Sequence, residues 1–182
     1  TISYDLGGGE WGEYAGLRKD YKATFLKNSY TEEEPLKLYN NQPSKARYRL
    51  KGWTADNPNV KFKSEVESTR VSLSMLPGSI GNVTFTPIWE PRTFSITYWK
   101  NLSKHTYEMD AQYTSYTVDS EGFTLPVPVD EEMTAAGKTF QGWYATYNNG
   151  TGYENKVESI EPQNPDNIAG KPETGIIGLY AY

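Results

Sequence analysis

Cysteine is absent from the 182-residue chain, so it forms no disulfide and offers no thiolate to a metal. Histidine occurs once, as His105. A multi-histidine metal site and a Ser-His-Asp triad therefore lack their parts. No apolar run approaches the roughly 18 residues that a membrane-crossing helix needs, so membrane insertion is not expected of this segment. Positive charge is in short supply. Eighteen Lys and Arg against twenty-three Asp and Glu give a formal net charge of −5, which argues against nucleic acid as a partner. No signal peptide is visible at Thr1. A chain that opens inside a strand-like run reads as part of a longer protein, so this leaves its location open.

Turn formers and aromatics are plentiful. There are sixteen Gly, eleven Pro and fifteen Tyr. Aromatic side chains suit pleated surfaces, so the composition predicts a mainly β protein, with α+β as the alternative. Ile2, Tyr4 and Leu6 alternate with polar residues, as do Phe94, Ile96 and Tyr98. In "VTFTPIW" the same alternation places Val83, Phe85, Pro87 and Trp89 on one face. "GGG" at 7–9, "DNPN" at 56–59, "PGSIGN" at 77–82 and "NNGTG" at 148–152 read as turns. Helix is expected at most once per unit, within 107–118 or 130–137 in the second half.

Sliding the chain along itself exposes a repeat. "TISYDL" matches "SITYWK", and Tyr30-Thr31 matches Tyr116-Thr117. "LKGWTA" matches "FQGWYA", and "VTFTPIW" matches "IGLYAY". The order is fixed while the offsets vary, as when loops change length between shared strands. Two units follow, residues 1–91 and 92–182, joined at Glu90-Pro91-Arg92.

The ordered set "ISYDLGGG", "YT", "LKGWT", "TFTPIW", given again as "ITYW", "YT", "TLPVP", "FQGWY", "LYAY", resembles the Listeria–Bacteroides repeat found in internalin-type surface proteins. The resemblance covers both units. It implies two tandem small β-grasp-like domains of an extracellular bacterial cell-surface protein. It further implies a stalk, spacer or adhesion role, with neighbouring repeats of the parent chain and a host or envelope protein or glycan as partners. The family brings no enzyme activity, no cofactor and no catalytic residues. Unit 2 departs from the pattern in lacking the Gly-Gly after its first strand and in stopping before the final Trp. Unit 1 has "PLKL" in place of L-P-x-P.

Several features compete for a binding role. In "KARYRLKGW", Lys45, Arg47, Arg49 and Lys51 alternate with apolar residues, which on one strand sets four cations on one face. Such a face is either an anion surface or the solvated side of an ordinary strand. Unit 1 carries 12 basic and 11 acidic residues, and unit 2 carries 6 and 12. Trp99 has no counterpart in unit 1, and strand parity sends it to the outer face. With Tyr147 and Tyr153 beside the "NNGTG" loop it forms a candidate sugar platform, the basis of an alternative reading as a carbohydrate-binding module. The alternative for Trp99 itself is packing against the loop of residues 103–115 or against unit 1. Glu32-Glu33-Glu34 and Asp130-Glu131-Glu132 are contiguous runs, which read as solvated loops rather than a converging glycosidase pair. The spaced oxygen ligands of a calcium loop are missing. Trp53 and Trp143 pose the converse problem. Strict alternation points both outward, but a bulge at Gly52 and Gly142 would turn them into the core as structural pegs.

Overall fold

The computed structural model describes residues 1–11, 29–31, 36–38, 42–68, 70–100, 105–148, 152–164 and 176–181. The chain divides into two compact units, Thr1–Glu90 and Pro91–Tyr182. Strands dominate the described residues, as the composition predicts.

In unit 1 the strands are β1 (Ile2–Tyr4), β2 (Glu10–Trp11), β3 (Lys37–Leu38), β4 (Pro43–Ser44), β5 (Tyr48–Ala55), β6 (Phe62–Glu67), β7 (Arg70–Met75) and β8 (Val83–Pro91). They form sheets in the orders β1-β8-β5, β3-β7-β6 and β2-β4. The first strand runs parallel to the last, with Ile2 opposite Val83 and Tyr4 opposite Phe85. On the far side of β8 the Asp56 N–H donates to the Thr84 carbonyl and the Thr54 hydroxyl to that of Thr86, so β5 runs against β8. The inward residues of these strands close a core of Ile2, Leu36, Trp53, Val60, Val71, Leu73, Met75, Val83 and Phe85.

In unit 2 the strands are β9 (Phe94–Trp99), β10 (Ser115–Tyr116), β11 (Phe123–Thr124), β12 (Trp143–Asn148), β13 (Gly152–Val157), β14 (Ser159–Ile160) and β15 (Ile176–Ala181). One sheet has the order β10-β9-β15-β12-β13, and β11 pairs with β14. The two central strands, β9 and β15, are parallel, and the pairs around them are antiparallel. A 3-10 turn at Ala111–Tyr113 and a short helix α1 (Glu131–Ala135) complete the unit. Both fall inside the two windows where helix is expected. Phe94, Ile96, Tyr98, Tyr116, Leu125, Trp143, Val157 and Ile160 form its core.

The two units share register as well as order. Ile96 faces Ile177 as Ile2 faces Val83, a separation of 81 residues in each case (96 to 177 and 2 to 83). The first-strand tyrosine meets the Gly-Trp tryptophan edge-on in both. Tyr4 and Trp53 have ring centroids 6.2 Å apart, and Tyr98 and Trp143 4.9 Å. Both tryptophans are buried, at 3% and 2% exposure. Burial pushes the Tyr4 hydroxyl up to about 12 and raises that of Tyr98 as well.

The glycines bring this about in two different ways. Along β5 the inward residues are Tyr48, Leu50 and Gly52, and then Trp53 and Ala55, so the alternation changes phase between Gly52 and Trp53. The Trp53 N–H leaves the ladder and donates to the Ser64 hydroxyl at 3.0 Å. In unit 2, Gly142 takes a φ of +143°, a value open to few residues but glycine, immediately before β12. In unit 1 a third device appears. A Cβ on Gly9 would stand 2.6 Å from the Trp89 ring, whose Nε1 donates to the Leu6 carbonyl at 2.9 Å. The Gly7–Gly9 turn and the final Trp of unit 1 are thus one packing feature.

Candidate functional site

The cationic stripe is not a strand face. The Tyr48 N–H donates to the Lys45 carbonyl, closing a turn, and Arg47 adopts a φ of +68° within it. Alternation therefore begins only at Tyr48. Lys45 donates to the Gly7 carbonyl at 3.0 Å and lies 4.5 Å over the Tyr48 ring. Arg47 is half-buried in the turn. Arg49 and Lys51 do share the exposed face of β5, where both meet Glu90: Arg49 through a hydrogen-bonded ion pair and Lys51 at 3.5 Å. The Arg49 hydrogen bond leads in holding the Glu90 carboxyl below its ordinary range. The expected row of four cations thus becomes two cations in a turn and two matched by one carboxylate.

The aromatic platform is also rearranged. Trp99 is half-buried at the end of β9 and bridges to Thr106, so the segment from His105 lies along this edge. Tyr107 N–H donates to the Tyr98 carbonyl and Lys100 N–H to that of His105. Across the sheet Trp99 faces Tyr180 of β15, and Tyr180 faces Tyr144 of β12, which faces Lys156 of β13. Tyr147 and Tyr153 face each other further along β12 and β13. Their register position is three residues from Tyr144, in a different row from Trp99. Their side chains, like that of Tyr180, lie outside the described residues, as do Glu32-Glu33-Glu34 and residues 149–151 of the "NNGTG" loop.

Sequence reasoning missed a cleft of about 520 Å³ in unit 2. Residues 106–110 form one wall and 126–129 the other, with Lys100 and Tyr113 between. One end is fixed by a polar knot. The Tyr107 hydroxyl donates to Asp130 Oδ2 at 2.9 Å, while Asp130 Oδ1 accepts the Met133 N–H at 3.0 Å and caps α1. Lys100 Nζ stands 3.8 Å from the same carboxylate and 4.9 Å from the Tyr107 ring centroid. The Met133 N–H and the Tyr107 hydroxyl, with a smaller contribution from Lys100, hold the Asp130 carboxyl below its usual range. Burial, and then Asp130, push the Tyr107 hydroxyl up to about 12.

The wall at 126–129 is the sequence Pro-Val-Pro-Val. Proline fixes its own φ and drives the preceding residue to extended backbone, so Leu125 through Pro128 run straight. The Leu125 N–H donates to the Glu158 carbonyl, and the Pro126 carbonyl accepts the Trp143 indole N–H at 2.8 Å. Val127 and Val129 are 69% and 88% exposed. The signal for this wall was present in the sequence, since two prolines at alternate positions strip the N–H groups from one edge and leave the other intact.

Among the described residues no three His, Asp or Glu side chains gather as a metal site would require, and no helix is long and apolar enough to cross a membrane. No family model, no curated protein and no solved structure matches this chain.

Proposed function

We propose that the chain is a non-enzymatic extracellular module of a bacterial surface protein, built of two tandem β-grasp-like repeats and acting as a spacer or adhesion element. The observation that carries this is the shared frame. Both units set the first strand parallel to the last with an 81-residue separation, and both press a first-strand tyrosine onto the Gly-Trp tryptophan. In each unit the chain enters at one end of that parallel pair and leaves at the other. Unit 1 advances from Val83 to Pro91 along β8, about 26 Å at a strand's rise of ~3.3 Å per residue.

A carbohydrate-binding reading is supported by the cross-strand row of Trp99, Tyr180 and Tyr144. A glycan array separates the two. The spacer reading expects no defined sugar to bind. Binding that disappears in Trp99→Ala, with the fold retained, overturns it.

A further inference from the structure

The geometry points to the cleft of unit 2 as a docking site for a proline-rich segment of a partner protein, bound as a polyproline II helix and carrying a lysine or arginine. This goes beyond the spacer reading and does not depend on it.

Three observations converge. The first is what the cleft walls offer. The Leu125 N–H donates to the Glu158 carbonyl beside β14, so along this extended run Val127 and Val129 turn their N–H and C=O groups to that side. Pro126 and Pro128 have no N–H, and the Pro126 carbonyl already accepts from the Trp143 indole. The wall at 126–129 therefore gives the cleft rings and methyl groups but no backbone donor. On the other wall the Tyr107 N–H is taken by the Tyr98 carbonyl. An incoming strand finds no ladder along Pro126–Val129. A polyproline II helix keeps its backbone solvated and needs none.

The second is an aromatic surface held from behind. The Tyr107 ring meets Trp143 edge-on at 5.8 Å, and its hydroxyl is anchored on Asp130. Tyr113 packs on Phe123 at 5.5 Å, and its carbonyl accepts the Tyr98 hydroxyl at 2.8 Å. Both residues are half-buried and both line the cleft, so each keeps part of its surface for a ligand. Among the described residues no hydrogen bond engages the Tyr113 hydroxyl, which leaves it to donate to a ligand carbonyl. Proline-rich segments dock on grooves lined by aromatic rings of this kind. The cleft volume of about 520 Å³ falls among those of ligand sites.

The third is charge, which selects the flank of the occupant. Glu108 and Asp110 are exposed on the tyrosine wall. The cation in the cleft, Lys100, already stands against Asp130 and the Tyr107 ring. A lysine or arginine beside the prolines therefore meets carboxylates that no cleft cation neutralises.

The test uses the full 182-residue chain, isotope-labelled for amide NMR. The probe is acetyl-Pro-Pro-Val-Pro-Pro-Arg-amide. One control replaces its Arg by Glu, and a second, acetyl-Thr-Val-Thr-Val-Thr-Arg-amide, keeps the charge but favours a strand. The probe should shift the amides of Met109, Tyr113 and Val127. Both controls should bind about tenfold more weakly or worse, and salt should weaken the probe. Tyr113→Phe, which removes only the donor, should cost about threefold or more in affinity. Glu108→Lys combined with Asp110→Lys should cost at least about tenfold, with the remaining spectrum in place. Both variants alter half-exposed or exposed side chains, and their spectra report whether unit 2 stays folded; should one unfold it, the other decides with the control peptides. Equal binding of the strand-forming peptide, shifts that avoid both walls, or no shift with the probe at millimolar concentration overturns the proposal.

Discussion

The indole N–H of Trp143 donates to the carbonyl of Pro126, whereas that of Trp53 is buried with no acceptor among the described residues. The same peg is thus anchored by a polar bond in one unit and by ring packing in the other. In unit 1 the Trp11 ring stacks on Trp53 at 6.1 Å and Tyr4 meets it edge-on. Trp143→Phe should therefore destabilise unit 2 by about 1 kcal/mol more than the lost ring volume alone would, since it orphans the Pro126 carbonyl. Trp53→Phe removes a donor that has no partner and should cost less. Either residue changed to Ala should cost ~3–5 kcal/mol. Denaturant unfolding of the four variants checks the order, and a larger loss for Trp53→Phe than for Trp143→Phe contradicts it.

The two glycines before the tryptophans should respond differently to alanine. Gly142 combines a φ of +143° with a Cβ position 2.7 Å from Lys156 Cε. The lysine tip can swing aside, so the backbone strain dominates, at about 1–3 kcal/mol. A Cβ on Gly52 would meet Ile88 Cδ1 at 3.4 Å and Ser64 Oγ at 3.5 Å, with no unusual φ. Gly52→Ala should lie within about 1 kcal/mol of the parent in either direction. Thermal melts of the two variants make the comparison directly.

Acid and alkali should each weaken unit 2 through the Tyr107–Asp130 pair. The Asp130 carboxyl is held below its ordinary range, so its contribution is fully present above that range and is lost as pH falls through the lowered value. The Tyr107 hydroxyl is pushed up to about 12, so its contribution is present below the ordinary tyrosine range near 10 and is lost as pH rises toward 12. Asp130→Asn should flatten the acid limb of a stability-against-pH curve, and Tyr107→Phe the alkaline limb. Unchanged limbs in both variants would show that the pair does not couple to folding.

Glu90 should act as a mask. Glu90→Gln leaves Arg49 and Lys51 on the same exposed face without their shared carboxylate. At low salt the variant should bind dextran sulfate more tightly than the parent, and the difference should vanish as salt is raised. Because the ion pairs are solvent-exposed, thermal stability should scarcely change. Equal dextran sulfate binding by parent and variant at low salt would show that Glu90 does not screen these cations.

Much of the frame was legible because it rests on local rules. Period-two alternation located β1, β8 and β9, and the Gly-Trp repeat identified the two buried indoles. The misreadings came where a single torsion or a distant partner decides. Arg47 looks like one more alternating residue until its φ of +68° breaks the stripe. Trp99 groups with Tyr147 in the sequence because both are aromatics without a counterpart in unit 1. Its sheet neighbours, Tyr180 and Tyr144, are fixed by pairing with a strand some eighty residues away, which no window along the chain reveals. The cleft was hidden for the same reason, since its two walls are separated in sequence and are joined by contacts such as the Tyr107–Asp130 bond.

The parallel pairing of β1 with β8 and of β9 with β15 also decides how each unit meets tension. A pull on the two ends of a unit slides its first strand along its last. The hydrogen bonds between them lie across the load and share it together, so they must yield nearly at once. A hairpin such as β12–β13, pulled at its open end, would surrender its bonds one by one. In each unit the parallel pair thus sets its hydrogen bonds in shear between the two ends of the unit.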